Sequence, residues 1–220
     1  MNAHSLRTHC RRSVIATKAK STDKYERILE AAITVFAEQG FHQATISQIA
    51  RKAGVADGTI YLYFKNKDDI MVNFFDQRTK RAFSRFREAV EDAGDAREKL
   101  TVLIRTHLNE FQLNRDMAVV YQSETHRNNR SCETQIREMS KMYLDIVSEI
   151  VEQGQQEGLV RKDLYLGLVK RFIIGAVDEV INTWLHSSTE YDLSSMAEPL
   201  VDLFLRGVGH PDQTVEKPLS

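Results

Sequence analysis

The sequence predicts an all-α protein with a small basic head and a larger helical body. Three observations carry that prediction. The 220 residues are 42% hydrophobic, enough for a real core, but include only three Pro and ten Gly. That scarcity argues against many short strands and turns. Apolar residues recur three and four apart over long runs, which is the helical period. Charge is also divided along the chain. Residues 1–67 hold 11 Lys and Arg against 5 Asp and Glu, a net of +6, and the remainder hold 19 against 26, a net of −7. The whole chain, at −1, is no general nucleic-acid binder. A basic head on an acidic body suits a head that meets phosphate.

Residues 1–22 read as a basic arm, with Arg7, Arg11, Arg12, Lys18 and Lys20 and no acid in the first twenty positions. Such an arm is expected to be disordered and able to follow a DNA backbone or minor groove. Residues 23–68 are the expected DNA-binding head. Its first helix starts near Asp23, with Glu26 at capping-box spacing. It buries Tyr25, Ile28, Leu29, Ala32, Ile33 and Phe36, and Gly40 stops it. Thr45 caps a second helix, with Gln48 three residues on. Ile46, Ile49, Ala50 and Ala53 share its inner face, and Gly54 ends it. Asp57 is expected to cap a third helix that turns Ile60 and Phe64 inward. Gly58, Thr59, Tyr61, Tyr63 and Lys65 remain outside. Small and hydroxyl side chains first, then aromatic and basic ones, suit a short helix entering a major groove.

Residues 69–208 form the expected body. A fourth helix, about 67–90 and capped by Asn66, carries Ile70, Phe74, Phe75, Phe83 and Phe86 on one side. Gly94 and Asp95 break the chain. A fifth helix, about 96–113, presents Leu100, Leu103, Ile104, His107, Leu108 and Phe111. Asn114 precedes a sixth, about 116–126, with Met117, Val120, Tyr121 and Glu124. Polar residues 127–131 read as a loop. The seventh, about 133–156, repeats the apolar period through Ile136, Met139, Met142, Tyr143, Ile146, Val147 and Ile150, and Gly158 follows its end. Asp163 is expected to cap an eighth, about 164–186. This helix is apolar on more than one face, from Leu168 and Phe172 to Val177 and Trp184. One face suits the core and the other a second subunit. A ninth, about 193–207, continues the theme, with Pro199 near its first turn. Residues 209–220 read as a disordered polar tail.

Several classes are set aside. Cys10 and Cys132 give no disulfide framework, and the seven His show no metal-ligand spacing, so no metal and no cofactor are expected. No apolar run reaches about 18 residues and the N-terminus lacks an apolar signal core, so a cytoplasmic protein without membrane contact is expected. No nucleophile elbow, phosphate loop or Ser-His-Asp grouping appears, so catalytic residues are expected to be absent.

Residues Thr45, Ile49, Ala50, Gly54, Gly58, Thr59, Ile60, Tyr61, Tyr63, Phe64, Lys65 and Lys67 closely resemble the helix-turn-helix of TetR-type transcriptional repressors, over about residues 24–75. The resemblance implies a TetR-like fold and a homodimer joined through the last two long helices. It also implies a palindromic double-stranded DNA operator. The residues expected at DNA are Thr45, Ser47, Asp57, Gly58, Thr59, Tyr61, Tyr63, Lys65 and Lys67. Of these, Thr59 and Tyr61 are assigned to bases or sugars, and Tyr63, Lys65 and Lys67 to phosphates.

The resemblance further implies a small-molecule pocket among the fourth, fifth, seventh and eighth helices. Phe74, Leu103, His107, Phe111, Tyr121, Met139, Tyr143 and Trp184 are its expected lining. Three body segments, residues 118–124, 143–150 and 175–184, are similar to the TetR subgroup that controls fatty-acid degradation and senses long-chain acyl-CoA, as are residues 54–67. The chain departs from that subgroup at His126, where an Arg is expected, with Arg127 next to it. Arg78, Arg81, Arg105, Arg127 and Arg130 are candidates for a cationic mouth. The implied function is a ligand-released repressor of fatty-acid metabolism. The alternative keeps the same DNA head but takes an amphipathic drug or aromatic compound as effector.

Overall fold

A computed structural model describes residues 22–126 and 132–208, without the side chains of His126 and Val208. The expected basic arm and polar tail, and Arg127 and Arg130, lie outside the described residues. The chain divides into two compact units between Phe74 and Phe75.

The first unit is the head. Helix α1 covers residues 22–39, α2 is Ile46–Ala53, and α3 is the single turn Asp57–Ile60. Helix α4, Lys67–Glu91, begins here and continues into the second unit. Asp23 lies inside α1 rather than at its cap and pairs with Arg27 one turn on, at 3.8 Å. Thr45 caps α2 as its spacing predicts. Gln48 N donates to Thr45 Oγ1 at 3.3 Å and Thr45 N donates to Gln48 Oε1 at 2.8 Å. Gly54 closes α2 at φ +65°, and a Cβ there would meet the Arg27 guanidinium at 3.2 Å. That guanidinium donates to the Ala53 carbonyl, so the turn holds little but glycine.

The expected cap of α3 needs correction. Ala56 stands at that position, and Asp57 is the first helical residue. The Asp57 carboxylate accepts a hydrogen bond from Ser47 Oγ instead, tying α3 to α2. Ile28, Ala32, Ile49, Ala50, Ile60 and Phe64 form the head core, closed by Ile70, Met71 and Phe74 from the first two turns of α4. Tyr25 stacks on Phe64 with centroids 5.0 Å apart. These apolar turns of α4 explain why the division falls after Phe74 and not at residue 68.

The second unit holds the rest of α4, then α5 (Ala96–Leu113), α6 (Arg115–His126), α7 (Glu133–Gln156), α8 (Leu166–His186), a 3₁₀ turn (Leu193–Met196) and α9 (Ala197–Val208). Asp95 caps α5 through the Glu98 amide at 2.8 Å. Helix α5 is the centre of the body and packs against α6, α7, α8, α9 and the 3₁₀ turn. Leu100, Leu103, Ile104 and Leu108 are its buried face. Helix α8 starts later than its pattern suggests. Tyr165 precedes its first turn without a side-chain cap, and Asp163 sits in the preceding turn, 3.7 Å from Arg161. Val169, Ile173, Val177 and Ile181 of α8 are buried, while Leu168 and Phe172 are exposed. The ninth expected helix divides into the 3₁₀ turn and α9, with Pro199 in the first turn of α9. No helix among the described residues is long and apolar enough to cross a membrane.

Candidate nucleic-acid interface and effector cavity

On the head, Thr45, Ser47, Asp57, Gly58, Tyr61 and Lys65 are exposed, and Thr59 and Tyr63 are half-buried. Tyr61 is 59% exposed and its neighbour Leu62 is 81% exposed, both just past α3. Exposed aromatic and apolar surface beside hydroxyls suits sugars, base edges and thymine methyls. Tyr63 keeps one ring face near Tyr25, with centroids 6.3 Å apart. The Lys65 amide donates to the Asp69 carboxylate at 2.8 Å, leaving its side chain exposed.

Lys67 does not fit the phosphate role assigned to it. Its ammonium donates to the carbonyls of Phe41, His42 and Ala44 at 2.8, 3.2 and 2.6 Å, and lies 4.9 Å from the Phe41 ring centre. An ammonium has three donors, and all three are spent on the loop between α1 and α2.

In the body, a cavity that opens to solvent, about 720 Å³ with its open mouth included, lies among α4, α5, α6 and α7, with Ile174 contributed by α8. Phe75, Phe83 and Phe86 of α4 face Phe111 of α5, Met117 of α6, and Met139 and Met142 of α7. Adaptable sulfur and flat rings make an apolar wall of the kind that effector pockets use. Of the expected lining residues, His107, Phe111, Tyr121, Met139 and Tyr143 come together here. Phe74, Leu103 and Trp184 do not. Phe74 belongs to the head core, and Leu103, one turn before His107, is sealed in the packing of α5. Trp184 is covered by the Arg115 guanidinium, 4.7 Å from its ring.

The expected helix set also shifts, since α6 supplies Met117 and Tyr121. Thr79 and Glu110 were not foreseen on the wall. Thr79 shares a stripe of α4 with Phe75, Ala82 and Phe86, a spacing that could have pointed to it. Of the candidate mouth cations, Arg78 is half-buried on the wall, while Arg105 pairs with Glu198 at 2.9 Å.

Several polar groups lie on the cavity wall. Glu110 is buried and ion-paired to Arg85. His107 touches Phe86, Phe111 and Tyr143, with centroids 5.7, 5.2 and 4.9 Å apart. Burial lowers its pKa to about 4, so the ring is neutral near pH 7. Burial, with the charge of Asp178 second, pushes the Tyr143 and Tyr121 phenols well above their usual range. Among the described residues no group of three or more His, Cys, Asp or Glu could hold a metal ion.

A reading head and an apolar cavity with a solvent mouth, carried by one helical chain, define a ligand-responsive regulator. The chain belongs to the TetR family: residues 28–73 match the model of bacterial regulatory proteins, tetR family, and residues 75–207 match that of the YsiA-like protein C-terminal region. Among its relatives, it is 37% identical over 185 residues to the fatty acid metabolism regulator protein of Bacillus subtilis strain 168, covering 84% of this chain and 95% of that one. The crystal structure of the regulator FadR from Bacillus subtilis in complex with stearoyl-CoA is similar at 36% identity and a TM-score of 0.77, over 84% of this chain and 99% of that one. A probable acrEF/envCD operon repressor of Escherichia coli K12 is 28% identical, over 91% of this chain and 93% of that one.

Proposed function

We propose that the protein is a homodimeric transcriptional repressor of fatty-acid metabolism, released from its operator by long-chain fatty acyl-CoA. One observation carries the reading. Helix α4 gives Ile70, Met71 and Phe74 to the head core, then Phe75, Phe83 and Phe86 to the cavity wall. A ligand that moves this helix at one end acts on the head at the other. The similarity to a regulator crystallised with stearoyl-CoA supports the choice of effector.

Two reading heads meet two half-sites of a palindrome, with Thr59, Tyr61 and Leu62 toward bases and Lys65 toward phosphate. The acyl chain occupies the Phe and Met cavity, and Arg78 on its wall is the candidate for the charged end. Binding favours a dimer whose heads are spaced wrongly for the operator. A ~100-fold release requires about 2.7 kcal/mol of difference in ligand affinity between the two states. The protein acts by binding, without catalysis, in the cytoplasm where its DNA lies.

A gel shift on DNA upstream of its own gene, with and without stearoyl-CoA, tests this. Retarded DNA released by micromolar stearoyl-CoA supports it, and DNA binding indifferent to any acyl-CoA removes the effector. The aromatic wall also suits an amphipathic drug, and the similarity to a probable efflux-operon repressor favours that second reading. Release by such a compound in the same assay, without response to acyl-CoA, selects it.

A further inference from the structure

The cavity wall is largely hydrocarbon and aromatic, yet three of its residues carry a polar atom shut away from solvent with no hydrogen-bond partner. These atoms are Thr79 Oγ1, His107 Nδ1 and the Tyr143 hydroxyl. They come from α4, α5 and α7, three different walls of one cavity, and the His107 and Tyr143 rings are in contact. A helical Ser or Thr commonly satisfies itself on the carbonyl one turn back. Thr101, Ser123 and Ser148 do so at 2.9, 2.8 and 2.7 Å, and Thr79 does not. An unpaired buried group is unfavourable, and a packed core does not gather three on one surface.

We propose that Thr79, His107 and Tyr143 together bind one uncharged acceptor oxygen of the effector, a carbonyl embedded in its apolar chain. The threonine and tyrosine hydroxyls are donors, and the neutral imidazole donates from Nδ1 in the matching tautomer. No member of the set is charged near pH 7, since burial keeps the imidazole unprotonated and the phenol protonated. Three neutral donors suit a neutral carbonyl, whereas an ionised ligand group would find no opposite charge among these three and would go instead to Arg78. Resting on the acyl-CoA reading, this oxygen is that of the thioester, or else an oxygen further along the chain.

The test compares stearoyl-CoA, its thioether analogue S-octadecyl-CoA, which lacks the carbonyl, and 10-ketostearoyl-CoA, by calorimetry on wild type, Thr79→Val and Tyr143→Phe. Both substitutions remove an unpaired buried hydroxyl, so the fold is retained. Wild type is expected to prefer the thioester over the thioether by ~10-fold, falling to within about threefold in each variant. A preference for the keto chain alone, lost in the variants, places the same carbonyl site along the chain. Equal affinities for all three ligands in wild type, or a preference unchanged in the variants, overturns the proposal. If no CoA compound binds, the acyl-CoA reading falls by itself. The carbonyl site is then decided by 2-dodecanone, which supports it if the variants bind more weakly and overturns it if they do not.

Discussion

The Lys67 ammonium donates to the Ala44 carbonyl at 2.6 Å, one residue before the threonine that caps α2. With the Phe41 and His42 carbonyls it also fixes the loop that delivers Thr45 to the reading face. Hydrogen bonds from a charged donor contribute about 1.5–3 kcal/mol each at best, less where the loop is exposed. Lys67→Met is therefore expected to lower the thermal midpoint measurably and weaken operator binding. The dependence of that binding on salt should stay as in wild type, because no phosphate contact is lost. Lys65→Ala should do the reverse. It should leave the midpoint unchanged and reduce the slope of log affinity against log salt by about 1 per half-site. Equal salt slopes in wild type and Lys65→Ala would remove Lys65 from the phosphates.

His107 should write a pH dependence into the stability of the body. Folded, its pKa is about 4 because burial opposes the charge; unfolded, it returns to 6.5. Between those values the unfolded chain takes up a proton that the folded chain refuses. Stability contributed by the neutral ring is therefore whole above pH 6.5, falls as pH drops toward 4, and falls no further below. The ceiling is about 3 kcal/mol, reduced because part of the ring faces the cavity. Urea unfolding of wild type and His107→Phe at pH 5 and pH 7.5 checks it. The loss of stability between the two pH values should be smaller in the variant.

Glu110 is a buried carboxylate on the cavity wall whose partner, Arg85, is half in solvent. Removing the partner leaves the charge behind. Arg85→Met is expected to destabilise by about 1–3 kcal/mol, toward the low end because water reaches Arg85. The double variant Arg85→Met with Glu110→Leu should recover most of that loss, since neither charge is then stranded. Chemical denaturation of wild type, Arg85→Met, Glu110→Leu and the double variant in one cycle gives the coupling.

Much of this was legible in the sequence, because the head depends on local signals. Thr45 with Gln48, and the glycine at position 54, are short-range rules, and the structure obeys them. The body helices follow from apolar period alone, with α7 matching its expected bounds of 133–156. What was not legible depends on partners distant in sequence. Lys67 looks like a phosphate ligand until Phe41 and Ala44 are folded beside it. Asp57 looks like a cap until Ser47, ten residues earlier, takes its carboxylate. The wall of the cavity is harder still, because a buried Leu103 and a wall-facing Phe111 have the same periodicity on α5. Only the packing of neighbouring helices decides which one meets the void.

The subunit contact is the remaining prediction, and α8 carries it. Its inward stripe, Val169, Ile173, Val177 and Ile181, satisfies the core, yet Leu168 and Phe172 are left largely exposed on its outer side. Phe172 is 58% exposed, and its ring stacks on Phe204 of α9 with centroids 6.1 Å apart. Leu203 lies exposed beside Phe204 in the sequence of α9, extending the surface across both helices. A second copy of the same surface would cover it about a twofold axis, as closed dimers do. Phe172→Glu puts two like charges into that contact and should convert a dimer into a monomer in sedimentation velocity. Far-ultraviolet dichroism should be unchanged, because the side chain is mostly exposed in the single chain and gives up only its outer contact with Phe204. Leu113→Glu, at 69% exposure even more open to solvent but on α5, should stay dimeric. Operator affinity should fall with the dimer, because a lone head loses the gain of binding two half-sites at once. A Phe172→Glu protein that remains dimeric would move the interface elsewhere.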